Sequence, residues 1–129
     1  IEVDRIVQLA PPNGGSSLAR QLAQVPLVST LMGPSFMEVR NPATQVPPPG
    51  VPVGVVAGCF PGPFNLNPLL APGNDGVLTV PETRPAFSHE FLQVRAAHTF
   101  LMNSEQTFTS VQRFLNGGEL RLNSSATRF

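Results

Sequence analysis

Two ionisable side chains stand where a proton could be held and passed on. Asp75 sits in Pro72-Gly73-Asn74-Asp75-Gly76-Val77, where flanking glycine makes a tight loop and lets a carboxylate project from the backbone. His98 sits in Ala96-Ala97-His98-Thr99-Phe100, within an apolar stretch. Taken singly, each has an ordinary explanation: an aspartate that satisfies its own turn, and a hydrogen-bonded structural histidine. As a pair they have a chemical one. An imidazole takes a proton from a nucleophile and later returns it, while a buried carboxylate beside it holds the tautomer and favours the imidazolium. Because both are expected to leave the same edge of a sheet and no other acid is placed to orient the imidazole, the two side chains are expected within hydrogen-bonding distance of each other.

Such a pair needs rigid elements beneath it. Ile1, Val3, Ile6, Val7 and Leu9 crowd the first ten positions, enclose Asp4, and stop at Pro11-Pro12-Asn13-Gly14-Gly15, which reads as a strand, centred on Arg5 to Leu9, running into a turn. Ser16 or Ser17 then caps a short helix with Leu18, Leu22 and Val25 at helical spacing, ended by Pro26. From Leu27 to Val39 the apolar pairs are broken by Gly33-Pro34, which predicts two short helical pieces rather than one long helix. Asn41 to Pro52 holds five prolines and reads as an extended connector into Val53-Gly54-Val55-Val56-Ala57, a buried strand. Gly58 to Gly76 is a long ordered loop of turn formers, and Phe91 to Val94 is a third strand. Asn103 is placed as the cap of a last helix, with Gln106 at its third position, Phe108, Val111 and Leu115 as its buried stripe, and Gly117-Gly118 as its stop. Strands each followed by loop and helix predict an α/β fold with parallel pairing, in which sites form from loops leaving the carboxyl ends of strands. Asp75 and His98 each follow a separate strand.

Length and composition narrow the class. The chain has room for one domain, covering 1–120, with 121–129 read as a frayed tail. Lysine is absent, and eight arginines balance eight acidic residues, so nothing suggests binding to nucleic acid or an anionic membrane. Charged residues are 12% of the chain, about half of the roughly 25% usual for a soluble domain, so part of the surface is expected to meet another protein layer. Proline (15) and glycine (11) make up about a fifth of the residues, which predicts long ordered loops. One cysteine, Cys59, excludes an internal disulfide, and no Cys/His cluster suggests a metal or other cofactor. No apolar run approaches the ~18 residues of a membrane span, the first ten residues show no signal-peptide pattern, and the compartment stays open. The start reads as an opening inside a structured element.

Three stretches carry a resemblance. Leu9-Ala10-Pro11-Pro12-Asn13-Gly14-Gly15-Ser16, then Asn67-Pro68-Leu69-Leu70 leading to Gly73-Asn74-Asp75-Gly76-Val77-Leu78-Thr79-Val80-Pro81-Glu82-Thr83-Arg84, then Ala97-His98-Thr99-Phe100-Leu101-Met102 resemble, in this order, the lipase-like α/β-hydrolases of bacteria. The match runs from the first residue to about Leu120. It implies that Asp75 is the triad acid and His98 the triad base of a serine ester hydrolase, in the family's order of Ser, then Asp, then His. It implies the carboxyl-terminal half of an α/β-hydrolase fold, about three parallel strands with flanking helices, beginning at the strand after the nucleophile's helix. It also implies that the turn Pro11, Pro12, Asn13 faces the active-site side and lines the pocket.

The departures from the family are equally specific. A nucleophile elbow needs Gly-x-Ser-x-Gly, and Gly14-Gly15-Ser16-Ser17-Leu18 and Gly33-Pro34-Ser35-Phe36-Met37 both lack the final glycine. Acid and base are present without an attacking serine or its oxyanion donors. The leading expectation is half of a serine carboxylic-ester hydrolase, inactive alone, whose partner is the missing amino-terminal half or a second copy of itself. A second is a truncated remnant acting as an interaction module. A third is a thiol enzyme using Cys59, which leaves the second strand at the edge where sites form. His89 precedes the third strand and belongs at the opposite end of the sheet, and Pro49-Gly50-Val51-Pro52 fits PxxP but is explained by a connector.

Overall fold

Short apolar runs ending at chain-turning segments become the strands of one sheet. β1 (Ile6–Leu9), β2 (Val53–Gly58) and β3 (Glu90–Val94) pair in parallel in the order β1-β2-β3. They belong to a computed structural model that describes residues 2–40, 46–60 and 66–122. All six residues of the central strand β2 are buried, which is why it reads as a continuous run rather than an alternating one. Leu9 stands beside Val56 and Val56 beside Leu92, so these side chains share one face of the sheet. Parallel neighbours cannot be joined by a hairpin, and helices fill the crossovers. α1 (Ser17–Leu22) and α2 (Pro26–Arg40) lie between β1 and β2, α3 (Val80–Thr83) lies between β2 and β3, and a 3-10 helix (His98–Asn103) leads into α4 (Glu105–Leu115). The α/β class, with three parallel strands and flanking helices, is the observed architecture. The exposed Asp4 lies before β1 rather than inside it.

Helix ends follow local chemistry, with corrections. Ser16 caps α1, its hydroxyl accepting from the Ala19 amide at 3.1 Å. Pro26 begins α2 instead of merely ending α1, because a proline at the first helical position needs no amide partner. α2 is also one helix, not two, and carries Pro34 inside it. A proline forfeits one hydrogen bond, yet its fixed φ is itself helical, so the flanking residues stay in one element. Ser104, not Asn103, caps α4, because Asn103 is used as the last residue of the 3-10 helix. Gly117, at φ 93°, closes α4: its amide returns to the Phe114 carbonyl and that of Gly118 to Arg113, the paired bonds of a left-handed glycine stop.

The core lies between α4 and one face of the sheet. Val56, Leu92, Val94, Leu101, Phe114 and Leu120 pack together there. A Cβ added at Gly54 of β2 would stand 3.3 Å from side-chain atoms of both Phe114 and Leu120. The space left by that glycine sets the phase of α4. Its buried residues are Thr107, Ser110 and Phe114; of the stripe expected from apolarity, Val111 packs against the core, whereas Phe108 is 65% and Leu115 51% exposed, which overturns those two positions. Arg5, just before β1, donates to the carbonyls of Phe114 (2.9 Å) and Gly118 (3.0 Å) and stacks its guanidinium 4.9 Å from the Phe114 ring centre. A cation thus caps the carboxyl end of α4. Arg113 holds the carbonyls of Glu119 and Leu120, and Glu90 at the start of β3 accepts from the Leu120 amide. Of the tail expected to fray, Arg121 and Leu122 are exposed, and 123–129 lie outside the described residues. So do 41–45 of the proline connector and 61–65 of the long loop. No helix among the described residues is long and apolar enough to cross a membrane.

Candidate active site at the carboxyl edge of the sheet

The loop that leaves β2 is built on asparagines. Asn74 is buried; its side-chain oxygen accepts from the amides of Asn67 (3.2 Å) and Gly76 (3.0 Å), and its amide donates to the carbonyls of Asn67 (3.2 Å) and Ala71 (3.0 Å). All of its hydrogen-bonding capacity goes into holding the loop. Gly73, at φ 80°, and Gly76, at φ 97°, bracket the turn in conformations that side chains resist. Between them Asp75 points back to the sheet. Its backbone amide donates to the Leu78 carbonyl at 3.0 Å, and its Oδ1 accepts from Val77 (2.9 Å) and Leu78 (2.7 Å).

The other oxygen meets the histidine. His98 opens the 3-10 helix after β3, its amide donates to the Asp75 carbonyl at 2.9 Å, and its Nδ1 stands 2.8 Å from Asp75 Oδ2. A carboxylate only accepts, so the proton in this bond sits on Nδ1, and in the neutral imidazole Nε2 carries the free lone pair. The Asp75 side chain is fully buried and that of His98 is 34% exposed, with no hydrogen-bond partner for Nε2 among the described residues. The hydrogen bond to Asp75 holds the imidazole above its ordinary 6.5, against the pull of burial and with help from the carboxylate charge.

One backbone position decides whether this pair can form. A Cβ on Gly58, the last residue of β2, would lie 2.6 Å from the Ala96 carbonyl oxygen and 2.9 Å from Asp75 Cβ. Only glycine lets the loops after β2 and β3 close over the strand end. Sequence reasoning missed this residue, although a glycine ending an otherwise valine-rich run was a visible sign of close approach. It also missed Glu82, a buried carboxylate in a segment almost free of charge. Ala10, at the end of β1, holds φ at 42° with its amide 2.7 Å from the Val56 carbonyl, a strained backbone at the same edge.

Asn13 spends its amide on Gln8 Oε1 (2.8 Å) and the Thr83 carbonyl (3.0 Å), which ties the turn after β1 to α3. Pro11 and Pro12 are half-buried beside it, and no bond joins any of the three to Asp75 or His98. Cys59 is buried and forms no hydrogen bond with His98 among the described residues. His89 lies before β3, its Nδ1 2.8 Å from the Phe87 carbonyl and its ring edge-on to Phe87 and Phe91. Among the described residues no cluster of side chains is arranged to hold a metal ion. No match to this chain was found among protein-family models, curated proteins or solved structures.

Proposed function

We propose that Asp75 and His98 are the acid and base of a serine carboxylic-ester hydrolase, and that this chain forms the carboxyl-terminal half of its α/β-hydrolase fold. The observation that carries this reading is the 2.8 Å contact between a fully buried carboxylate and a part-exposed imidazole at the carboxyl edge of parallel strands. His89, whose Nδ1 is held by a backbone carbonyl, has no buried carboxylate behind it, so only His98 has a partner that favours the imidazolium. In the reaction, Nε2 takes the proton of the attacking hydroxyl and returns it to the leaving alcohol, while Asp75 holds Nδ1–H and favours the imidazolium between the two steps. The raised titration of His98 suits that role.

The nucleophile comes from polypeptide outside this sequence, since no Gly-x-Ser-x-Gly occurs in it. The burial of Cys59 argues against the thiol alternative. The segments leaving the three strand ends, 10–16, 59–79 and 95–98, carry one charged side chain besides Asp75 and His98, namely Arg95, whose guanidinium lies 5.9 Å from the Phe60 ring centre. The test assays short p-nitrophenyl esters with this chain and with the chain extended by its upstream reading frame. The extended protein is expected to turn over and to lose activity in Asp75→Ala and His98→Ala, while the short chain stays at background, because each missing oxyanion donor alone is worth ~100 to 1000-fold. An extended frame without Gly-x-Ser-x-Gly, or turnover indifferent to His98→Ala, would overturn the proposal.

A further inference from the structure

We propose that Glu82 is a positioning residue for the Asp75–His98 pair, joining the loop that carries Asp75 to the amino terminus of α1 through one shared carboxylate. Its Oε2 accepts from the Thr79 amide at 2.8 Å and its Oε1 from the Ser17 amide at 2.5 Å, with Arg20 3.7 Å away. Thr79 bridges to Asn74, and the adjacent Leu78 supplies the 2.7 Å amide bond to Asp75 Oδ1. Glu82 therefore grips the return arm of the turn whose outgoing arm presents Asp75. The backbone around it repeats the tie: the Gly14 amide donates to the Glu82 carbonyl at 2.8 Å, and the Asn13 side chain to that of Thr83.

A carboxylate that only capped the four residues of α3 would not need Ser17. Burying it costs free energy unless charged partners and donors replace water, and these donors come from two separate segments. Burial raises the Glu82 carboxyl, but the amides of Thr79 and Ser17 and their hydroxyls together leave it below its ordinary value. The charge is thus kept where both segments meet. Asp75 itself has no flexible support: if the return arm moves, Oδ1 loses its amides and Oδ2 leaves Nδ1.

The inference rests on the acid–base reading of Asp75 and His98, yet its test reads the pair and not turnover. The imidazole Cε1–H signal of His98 is titrated by NMR in the 129-residue chain, with Asp75→Asn setting the scale of complete loss. Glu82→Gln is expected to shift the His98 midpoint downward by more than half of that displacement, with circular dichroism unchanged. Should Glu82→Gln fail to fold, Ser17→Pro isolates the same link. Ser17 is the first residue of α1, where proline is tolerated, and Ser16 before it is already extended, at φ −120° and ψ 119°. That variant removes the Ser17 amide from Glu82 and is expected to lower the His98 midpoint by a smaller step. A folded Glu82→Gln or Ser17→Pro that titrates like the wild type would overturn the positioning role, whatever the esterase assays show. An Asp75→Asn variant that leaves His98 unmoved would instead overturn the acid–base pair.

Discussion

A single methyl group on Gly58 is the change this edge is least able to absorb. In Gly58→Ala the new Cβ would stand 2.6 Å from the Ala96 carbonyl oxygen and 2.9 Å from Asp75 Cβ, where non-bonded carbons settle at ~3.5 to 4.0 Å. Neither obstacle can swing aside. One is backbone, anchored by the Ala96 amide's 2.9 Å bond to the Val94 carbonyl, and the other is the root of a side chain bonded through both oxygens. Relief requires the strand end or the Asp75 loop to move, a class of overpacking that costs ~1 to 3 kcal/mol. With a urea dependence of ~1 to 3 kcal/mol per molar for a small domain, the unfolding midpoint falls by about 1 M. Gly54→Ala is the internal reference, because its Cβ meets only side-chain atoms of Leu120 and Phe114 at 3.3 Å, and these can give by a few tenths of an ångström. Urea unfolding and the His98 titration are measured on both variants. A Gly58→Ala variant that is no less stable than Gly54→Ala, or that keeps the elevated His98 midpoint, would rule out a steric role for Gly58.

Two further outcomes follow from the same geometry. Because Asp75 raises His98 above its unfolded value of 6.5, this interaction stabilises the fold fully below that value and is lost as pH rises through the folded one; urea midpoints should fall over that window in the wild type, and Asp75→Asn should remove the slope. Phe114→Ala, at a fully buried position over Gly54, is expected to cost ~3 to 5 kcal/mol. Phe108→Ala, 65% exposed, should stay within ~0.5 kcal/mol, and equal losses would show that the apolar stripe, not the glycine gap, orients α4.

What the sequence revealed and what it concealed divide along physical lines. β2 was legible because burial on both faces demands a run of small apolar residues, and Asp75 and His98 because loop, strand and residue type coincide. The face of α4 was legible only at Val111, since Phe108 and Leu115 compete with Phe114, and the gap over Gly54 favours Phe114. α2 misled because Gly33-Pro34 breaks a pattern without breaking the helix. Gly58 and Glu82 left local signs, a glycine ending a valine-rich run and the Thr79–Glu82 capping spacing, but the residues they hold together, Ala96 and Ser17, lie far along the chain.

Arg5 connects the opening of the sheet to the end of α4, across 109 residues to Phe114 and 113 to Gly118. Bringing such distant positions together costs closure entropy that grows as about (3/2)RT ln n, and a sheet made only of parallel crossovers has no hairpin to shorten the path. The guanidinium is therefore expected to lock after the rate-limiting barrier, when β1 and α4 are both in place. Its bonds then weigh on the unfolding limb of a chevron plot and leave the refolding limb nearly untouched. On this expectation that arginine governs how long the folded state lasts, rather than how quickly it is reached.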